Sequence, residues 1–264
     1  MVHEYDISKK FYLIRYTDIR EMMVVWFYSL KSVKGDGVGS GIMHVIIDNK
    51  IAERLSMENR TPFLVGSIAP DAVSTKNESH FFIGKHQDYS RSVDYKGFLH
   101  KYSSQADSHY ILGYYTHLIA DEIWLKGFYL PWLRNRMDAD KELHGLYHND
   151  FRILNGKLLE HYSFRDELRK TLYNIPTISD LQEVKFKDVG EFIPYVLGDM
   201  EYEREVVNQK LNVFTFDQIV GYIETSVDMG LLTLKQAAIL HQLPSARDCF
   251  LEGECPEGDG GKAK

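Results

Sequence analysis

YILGYYTHLIADEIW, residues 110–124, is apolar around nearly its whole circumference when it is drawn as an α-helix. A helix of this kind is expected at the centre of a helical domain, where other elements pack on every side. His117 and Asp121 interrupt the apolar surface, and because they are four residues apart their side chains lie on one face. Burial of an imidazole and a carboxylate is costly unless both groups have partners. The two side chains therefore either pair inside the core or belong to a larger polar site.

A second helix is predicted upstream, beginning after Ser40, which is a candidate N-cap. Its apolar stripe recurs at helical spacing and includes one histidine: His44, Ile47, Ile51 and Leu55. Between this helix and the central one, residues 74–104 are polar and have no sustained period, so we expect a long loop there.

Further helices are predicted downstream of the central one. They cover residues 140–162, residues 189–211 with a break or kink at Pro194, a segment that begins at the capping-box sequence TFDQ (215–218), and a short helix over 234–243. No regular alternation of strands and helices is visible along the chain. The sequence therefore predicts an all-α fold, a single multi-helix domain.

The ends of the chain differ from this helical region in composition. The stretch KSVKGDGVGS, residues 31–40, is rich in glycine and is typical of a flexible linker. The sequence after Glu252 is rich in glycine and charge. We predict an N-terminal extension over residues 1–39, whose linker also fits a misassigned start codon, a helical domain over 40–245 and a flexible tail over 246–264.

The composition restricts the surroundings and partners of the protein. The 264 residues include 31 Lys and Arg against 38 Asp and Glu, and the net charge of −7 disfavours a surface that coats nucleic acid. The longest charge-free apolar stretch near the N-terminus, residues 22–30, is much shorter than the ~20 residues that span a membrane. The two cysteines, Cys249 and Cys255, are too few for a thiolate zinc site and fit free thiols in a reducing compartment. We therefore expect a cytoplasmic protein with no transmembrane segment.

Three further side chains could join His117 and Asp121 in one polar site. His44 lies on an apolar helix face, Asp71 follows a proline, and His80 precedes two phenylalanines. Each is ordinary by itself: a core histidine, a helix cap and a loop histidine. Together, the three imidazoles and two carboxylates are ligands suited to zinc. The chain has no His-Glu-x-x-His sequence and no adjacent His-Asp pair, which argues against a thermolysin-type protease and a His-Asp phosphohydrolase.

Four motifs then occur in order: MHVIIDNKIAERL at residues 43–55, FLVGSIAPD at 63–71, SHF at 79–81 and GYYTHLIAD at 113–121. In these motifs the sequence resembles the zinc-dependent phospholipase C family, whose relatives include fungal zinc nucleases. The resemblance spans residues 40–162, and the C-terminal helices fit only in general character. It implies an all-α fold with a metal cluster at the base of a cleft, where phosphoester bonds are cleaved.

The resemblance also implies roles for the five side chains. Asp71, His80, His117 and Asp121 would be the ligands of one zinc ion. Asp121 would also reach a second zinc ion, which His44 helps to hold. In the family, the aspartate at the position of Asp71 orients or deprotonates the attacking water, which makes Asp71 the candidate catalytic residue.

Two features depart from the family pattern. Secreted members use the amine of their mature N-terminus as a ligand to the second zinc, whereas 43 residues precede His44 in this chain. The family's remaining zinc is held by a histidine soon after the His-x3-Asp motif and by a His-x3-Glu pair, and residues 126–128 contain no histidine. As ligands for that ion we favour Asp150, then His148, then His144, although His148 and Asp150 lie about 200° apart around a helix. The expected cofactor is therefore zinc, with two or three ions.

The leading functional hypothesis is a phospholipase C-like, zinc-dependent hydrolase that uses metal-activated water on a small phosphoester or phospholipid substrate. Two alternatives stay open: a nuclease or nucleotidase of the same fold, and a non-catalytic relative that keeps the metal for stability. The acidic net charge disfavours long polyanions but not mononucleotides. It gives no support for docking on anionic membranes, although peripheral contact with a membrane stays open.

Overall fold

The computed structural model describes residues 40–242, and this part of the chain is all-α, as the sequence predicts. Its helices are, in chain order, α1 (Gly41–Arg54), α2 (Thr61–Gly66), α3 (Lys76–Ser79), α4 (Tyr95–Lys101), α5 (His109–Trp124), α6 (Arg134–Ala139), α7 (Leu143–Tyr162), α8 (Arg165–Tyr173), α9 (Phe186–Asp199), α10 (Arg204–Val207) and α11 (Phe216–Gln242). Two 3₁₀ turns, Ala69–Ala72 and Ser103–Gln105, and a π-helical segment, Leu125–Leu133, add to them. The predicted extension over residues 1–39 and the predicted tail over 246–264 lie outside the described residues, as do Cys249 and Cys255.

Helix α5 is the central element, and 12 of its 16 residues are buried. Its backbone touches that of α2, because Gly113 has no side chain: a Cβ atom there would stand 1.9 Å from the carbonyl oxygen of Phe63. A glycine is required on the other helix as well, since a Cβ at Gly66 would stand 2.2 Å from the Tyr110 carbonyl oxygen. This close approach sets α2, and the turn that follows it, against the face of α5 that carries His117.

Helix α1 begins where the sequence predicts. The Ser40 hydroxyl accepts a hydrogen bond from the Met43 amide at 3.4 Å and donates one to the Asn155 side chain of α7 at 2.9 Å. Ile47 and Ile51 of the predicted stripe are buried, but so are most other positions, 10 of 14 in all. Because α1 packs against both α5 and α11, it is a second core helix.

The segment predicted as a long loop, residues 74–104, contains several short elements. Besides α3 and α4, it forms an antiparallel hairpin in which the strands β1 (Phe82–Ile83) and β2 (Ser92–Val93) pair. Asp94 then caps α4 by accepting a hydrogen bond from the Gly97 amide at 2.9 Å. The loop prediction is wrong at these places, because elements of two to seven residues are too short to show a period.

Helix α7 follows the sequence prediction closely, whereas α9 follows it only in part. The apolar α7 side chains Leu143, Tyr147 and Leu154 are buried. Pro194 lies inside α9, and the short helix α10 follows as a separate element. The region predicted as one or two helices is therefore two helices, but the break between them lies at residues 200–203 and not at Pro194.

The last helix differs from its prediction in length. The capping box is present: the Thr215 amide donates to Gln218 Oε1 at 2.8 Å, and the Gln218 amide donates to Thr215 Oγ1 at 3.2 Å. From there α11 continues for 27 residues, so the short helix predicted over 234–243 is the end of α11. Gly230 does not interrupt it, because α11 packs there against α1, where the Ile51 Cδ1 atom would stand 2.7 Å from a Cβ. Across residues 40–242, α11 included, no helix has both the length and the apolar character that a membrane span requires.

Candidate metal centre

The structure brings five of the sequence-predicted ligands together in one place, which we call the metal cluster: His44, Asp71, His80, His117 and Asp121. Four elements of the fold supply them. Helix α1 carries His44, and α5 carries His117 and Asp121. The 3₁₀ turn after α2 carries Asp71, and His80 ends α3.

Asp121 lies between the three histidines. Its Oδ1 atom is 3.4 Å from His44 Nε2, and its Oδ2 atom is 3.4 Å from both His80 Nε2 and His117 Nε2. On the other side of His80, the Asp71 Oδ1 atom is also 3.4 Å from Nε2. The five side chains therefore form two overlapping groups of ligand atoms, which share His117.

The cluster is almost completely buried. His44, His80 and His117 are at most 1% exposed and Asp121 is 3% exposed, whereas the Asp71 side chain is 10% exposed. Within the described residues, the Nε2 atoms of all three histidines and both carboxylate oxygens of Asp121 have no hydrogen-bond partner. Buried polar atoms are normally satisfied, so this concentration of unpartnered atoms indicates a missing bound group.

The hydrogen bond on the far side of His117 fixes its neutral tautomer. Its Nδ1 atom is 2.6 Å from the carbonyl oxygen of Ser67, which can only accept a hydrogen bond. Nδ1 therefore carries the proton, and in the neutral ring the lone pair of Nε2 is directed at Asp121 Oδ2.

The hydrogen bonds of His80 also determine which of its ring nitrogens carries the proton. The Ser79 hydroxyl donates to the Pro70 carbonyl oxygen at 2.8 Å, so its oxygen can accept from His80 Nδ1 at 2.9 Å. The Lys76 carbonyl oxygen, 3.1 Å from Nδ1, is a second acceptor. His80 Nδ1 is thus a donor, and the Nε2 lone pair is directed at the two aspartates.

The Nε2 lone pairs of His80 and His117 therefore face carboxylate oxygens of the two aspartates. This arrangement is repulsive unless a cation lies between the nitrogen and oxygen atoms. Protonation of Nε2 would produce charge-assisted hydrogen bonds, which are about 2.7–2.9 Å long, whereas all four distances are 3.4 Å. The buried histidines and aspartates could hold a metal ion, which would satisfy every one of these atoms.

Burial and mutual contacts set the charges of the cluster. Burial lowers the pKa of His44 and of His80, which favours the neutral, ligand form of both rings. Burial alone would raise the pKa of Asp121, but His117 and His44 hold it below its usual range, so the carboxylate is ionised. Burial also disfavours charge on His117, yet Asp121 and Asp71 raise its pKa. A proton and a metal ion would therefore compete for His117 Nε2.

Lys76 is a contact of the cluster that the sequence patterns do not reveal. Its ammonium donates to Asp71 Oδ1 at 2.9 Å and to the Asp71 carbonyl oxygen at 3.0 Å. Burial alone would raise the pKa of Asp71, but Lys76 and His80 hold it well below its usual range. The only sequence signal is a lysine five positions after the aspartate, which is too common to be informative.

Aromatic packing orients the histidine rings. His44 and His117 stack at a centroid distance of 3.8 Å, and His80 stacks on Phe82 at 5.5 Å. The Arg91 guanidinium covers the Phe82 ring at 4.1 Å, so the hairpin supports His80 from behind. This support depends on the β1–β2 pairing, which the loop prediction for this segment does not include.

The structure corrects the prediction for Asp150. Its carboxylate is 0% exposed and accepts hydrogen bonds from the backbone amides of Asn212, Val213 and Phe214, the shortest of them 2.7 Å. The Asn212 side chain donates a further hydrogen bond at 3.2 Å. Asp150 therefore binds the segment that leads into α11, with both oxygens occupied, and does not belong to the metal cluster.

His148 and His144 are also outside the cluster. Both are exposed on α7, where their rings meet edge to face at 4.6 Å, and neither belongs to the two groups of ligand atoms found in the described residues. Residues 126–128, where the family carries a histidine, lie in the π-helical segment, and Lys126 there donates to the Arg91 carbonyl oxygen at 2.9 Å.

Comparison with known protein families, with curated proteins and with solved structures finds no match for this chain. The geometry and chemistry of the metal cluster are therefore the observations that bear on function.

Proposed function

We propose that the protein is a zinc-dependent hydrolase of phosphoester bonds, similar to the phospholipase C family. One observation carries the proposal: Nε2 atoms without hydrogen-bond partners face carboxylate oxygens across 3.4 Å in a buried cluster of three histidines and two aspartates. Such a ligand set, with imidazoles and carboxylates but no thiolates, is typical of catalytic zinc sites.

The spacing of the ligand atoms supports zinc as the metal. Ligands at about 2.0–2.1 Å in a tetrahedral zinc site are about 3.3 Å from one another. Ligands of an octahedral magnesium ion at about 2.1 Å are about 3.0 Å apart, and magnesium also prefers oxygen to imidazole. The 3.4 Å separations in the cluster agree better with zinc.

The two oxygens of Asp121 support more than one ion. Oδ1 faces His44, whereas Oδ2 faces His80 and His117. One ion would be held by Asp71, His80, His117 and Asp121, and a second by Asp121 and His44. Zinc bound in this way would act as a Lewis acid on a phosphoryl oxygen and lower the pKa of water to about 7.

Asp71 is the ligand closest to solvent and the candidate catalytic residue. Its Oδ1 atom faces His80 and Lys76, while Oδ2 has no hydrogen bond to any other part of residues 40–242. Oδ2 can therefore hold the attacking water by a hydrogen bond. Because Lys76 keeps the pKa of Asp71 low, its carboxylate is a weak base, which favours orientation of the water over its deprotonation.

We propose a small phosphoester or a phospholipid as substrate. Mononucleotides fit the same chemistry, whereas the net charge of −7 opposes the binding of long nucleic acids.

A second candidate is a non-catalytic protein in which the metal only stabilises the fold. The near-complete burial of four of the five ligands favours it, because structural metal sites are closed whereas catalytic ones keep an open position. The partial exposure of Asp71 favours the enzyme.

A hydrolysis assay separates the two candidates. We expect the zinc-loaded protein to hydrolyse bis(p-nitrophenyl) phosphate, and Asp71→Asn to lower kcat by about 100-fold, because the water loses its anionic partner. Asp107→Asn, at an exposed position, is the matched control and should leave kcat unchanged.

A panel of phosphodiesters, phospholipids and mononucleotides would then identify the substrate class. Zinc binding without turnover of any compound in the panel would reject the enzyme and support the stabilising metal. Unchanged kcat in Asp71→Asn would reject the role of Asp71.

A further inference from the structure

Lys76 occupies a distinctive position beside the metal cluster. It begins α3, between Asp71 in the preceding turn and His80 at the end of the same helix. The Lys76 ammonium contacts Asp71 through two hydrogen bonds, one to the carboxylate and one to the backbone carbonyl, at 2.9 and 3.0 Å. Its side chain is 32% exposed, whereas the side chains of the ligand histidines are fully buried. Lys76 therefore lies at the side of the cluster where solvent can approach.

The donor count of the ammonium leaves one proton free. A lysine ammonium carries three N–H donors, and the contacts of Lys76 within residues 40–242 use two of them, both toward Asp71. The third N–H can therefore donate a hydrogen bond to an oxygen of a molecule outside the described chain. Because two hydrogen bonds already fix the ammonium, little side-chain entropy remains to be lost when it binds such a molecule.

The charge of the site favours an anion as that molecule. With neutral histidines, the five ligands carry the two negative charges of Asp71 and Asp121, and Lys76 offsets part of them. Any divalent ion held by the ligands would make the Asp71 side of the cluster electropositive. A phosphoryl group carries negative oxygens that can contact the metal and a lysine together, and lysine is a common phosphate-binding residue.

We infer that Lys76 is a substrate-binding residue, whose Nζ atom donates its third hydrogen bond to a non-bridging oxygen of the substrate phosphoryl group. The inference rests on the proposed function, since it assigns the phosphate ester to the Asp71 side of the same cluster. In this role Lys76 contacts the substrate and is not a ligand of the metal.

The test is the binding of inorganic phosphate to the zinc-loaded full-length protein, measured by isothermal titration calorimetry. The zinc content of every variant is measured by elemental analysis in parallel. We expect Lys76→Met to keep its zinc and to bind phosphate about 10- to 100-fold more weakly, as for the loss of a hydrogen bond between charged groups. Lys96→Met is the matched control, because Lys96 is exposed on α4 and has no charged partner within residues 40–242. Its phosphate affinity should not change.

Lys76→Gln covers the case in which the methionine variant does not fold, because the amide can still donate to Asp71. It should lose phosphate affinity to a similar extent. In the hydrolysis assay, both variants should raise KM more than they lower kcat.

Phosphate affinity within twofold of the unmodified protein, at equal zinc content, would overturn the inference. Loss of phosphate affinity only in proportion to loss of zinc would also overturn it, because Lys76 would then act through Asp71. Failure of the proposed function is seen separately, as absence of turnover by the unmodified zinc-loaded protein, whereas the phosphate titration needs no turnover.

Discussion

Asp48 is a buried carboxylic acid whose hydrogen-bond partners indicate that it is protonated. Its two carboxylate oxygens are 2.7 and 2.9 Å from the Thr116 hydroxyl oxygen, which is also 2.9 Å from the Gly113 carbonyl oxygen. The hydroxyl has one proton, and the Gly113 carbonyl can only accept it. A protonated Asp48 resolves the conflict by donating to Thr116, in agreement with burial, which raises its pKa well above the usual value.

Asp48→Asn should therefore remove one component of the pH dependence of stability. An acid whose pKa is raised by folding stabilises the native state fully at low pH, and this contribution is lost as pH rises through the folded pKa. The asparagine amide donates a hydrogen bond through N–H at every pH, in place of the carboxyl O–H. We expect the stability of the native protein to fall relative to that of the variant by up to about 1.4 kcal/mol per pH unit above the unfolded pKa.

Urea unfolding of both proteins, in the same metal state and between pH 4.5 and 8, measures this difference. A difference in the free energy of unfolding that does not change with pH would show that Asp48 is ionised throughout.

Individual site residues were predictable only in part from the sequence. The ordered motifs indicate His44, Asp71, His80, His117 and Asp121, and the structure places these five together. The prediction that Asp150 is a metal ligand is wrong. Its partners are backbone amides 62 to 64 positions away, which a residue pattern cannot indicate. The sequence does not indicate that Lys76 contacts the cluster, for a related reason. A lysine near an aspartate in sequence is informative only once the distance between their side chains is known.

At the level of elements, the crossing of α2 and α5 depends on glycine. Gly113→Ala would place a Cβ atom 1.9 Å from the Phe63 carbonyl oxygen, so the two helices must move apart. We expect the free energy of unfolding to fall by at least about 2 kcal/mol, within the usual range for overpacking. Because α2 leads to Asp71 and α5 carries His117, metal affinity should fall as well.

Gly221→Ala is the matched control on α11, where a new Cβ would meet nothing within 4 Å. The same change there should stabilise the protein by about 0.5–1 kcal/mol, because alanine is the better helix former. Urea unfolding of both variants checks the pair. Equal effects of the two substitutions would contradict the close approach of α2 and α5.

Elements with a strong local signal were predictable, whereas short or merged ones were not. The caps at Ser40 and Thr215 and the apolar surface of α5 have local causes, and all three are present in the structure. The hairpin over residues 82–93 depends on pairing between strands of two residues each, which local patterns cannot show. The full length of α11 depends on packing against α1, which allows a glycine within the helix.

For the whole molecule, the metal cluster should contribute to global stability. Removal of bound metal would leave five buried atoms without partners: His44 Nε2, His80 Nε2, His117 Nε2, and Asp121 Oδ1 and Oδ2. A ligand present at 1,000 times its Kd stabilises a protein by about 4 kcal/mol. For a domain of this size, that free energy corresponds to a Tm change of about 8–16 °C.

Thermal unfolding with and without a chelator measures this contribution. We expect Tm to fall on chelation and to recover when zinc is added back. His117→Gln should show a smaller response to the chelator, because the ion held by Asp71, His80, His117 and Asp121 loses one of its four ligands. An identical Tm with and without the chelator would indicate that the cluster does not hold a metal in solution.

The zinc content of the purified protein tests the metal cluster most directly. After gentle purification, we expect elemental analysis to find one or two zinc ions per chain, and less zinc in His117→Gln, which lacks one ligand of the four-ligand ion. His144→Gln should keep the full content, because His144 is exposed on α7 and lies outside the cluster. A protein that carries no zinc and takes up none on titration, or a His117→Gln variant with unchanged zinc, would contradict the assignment of the metal centre.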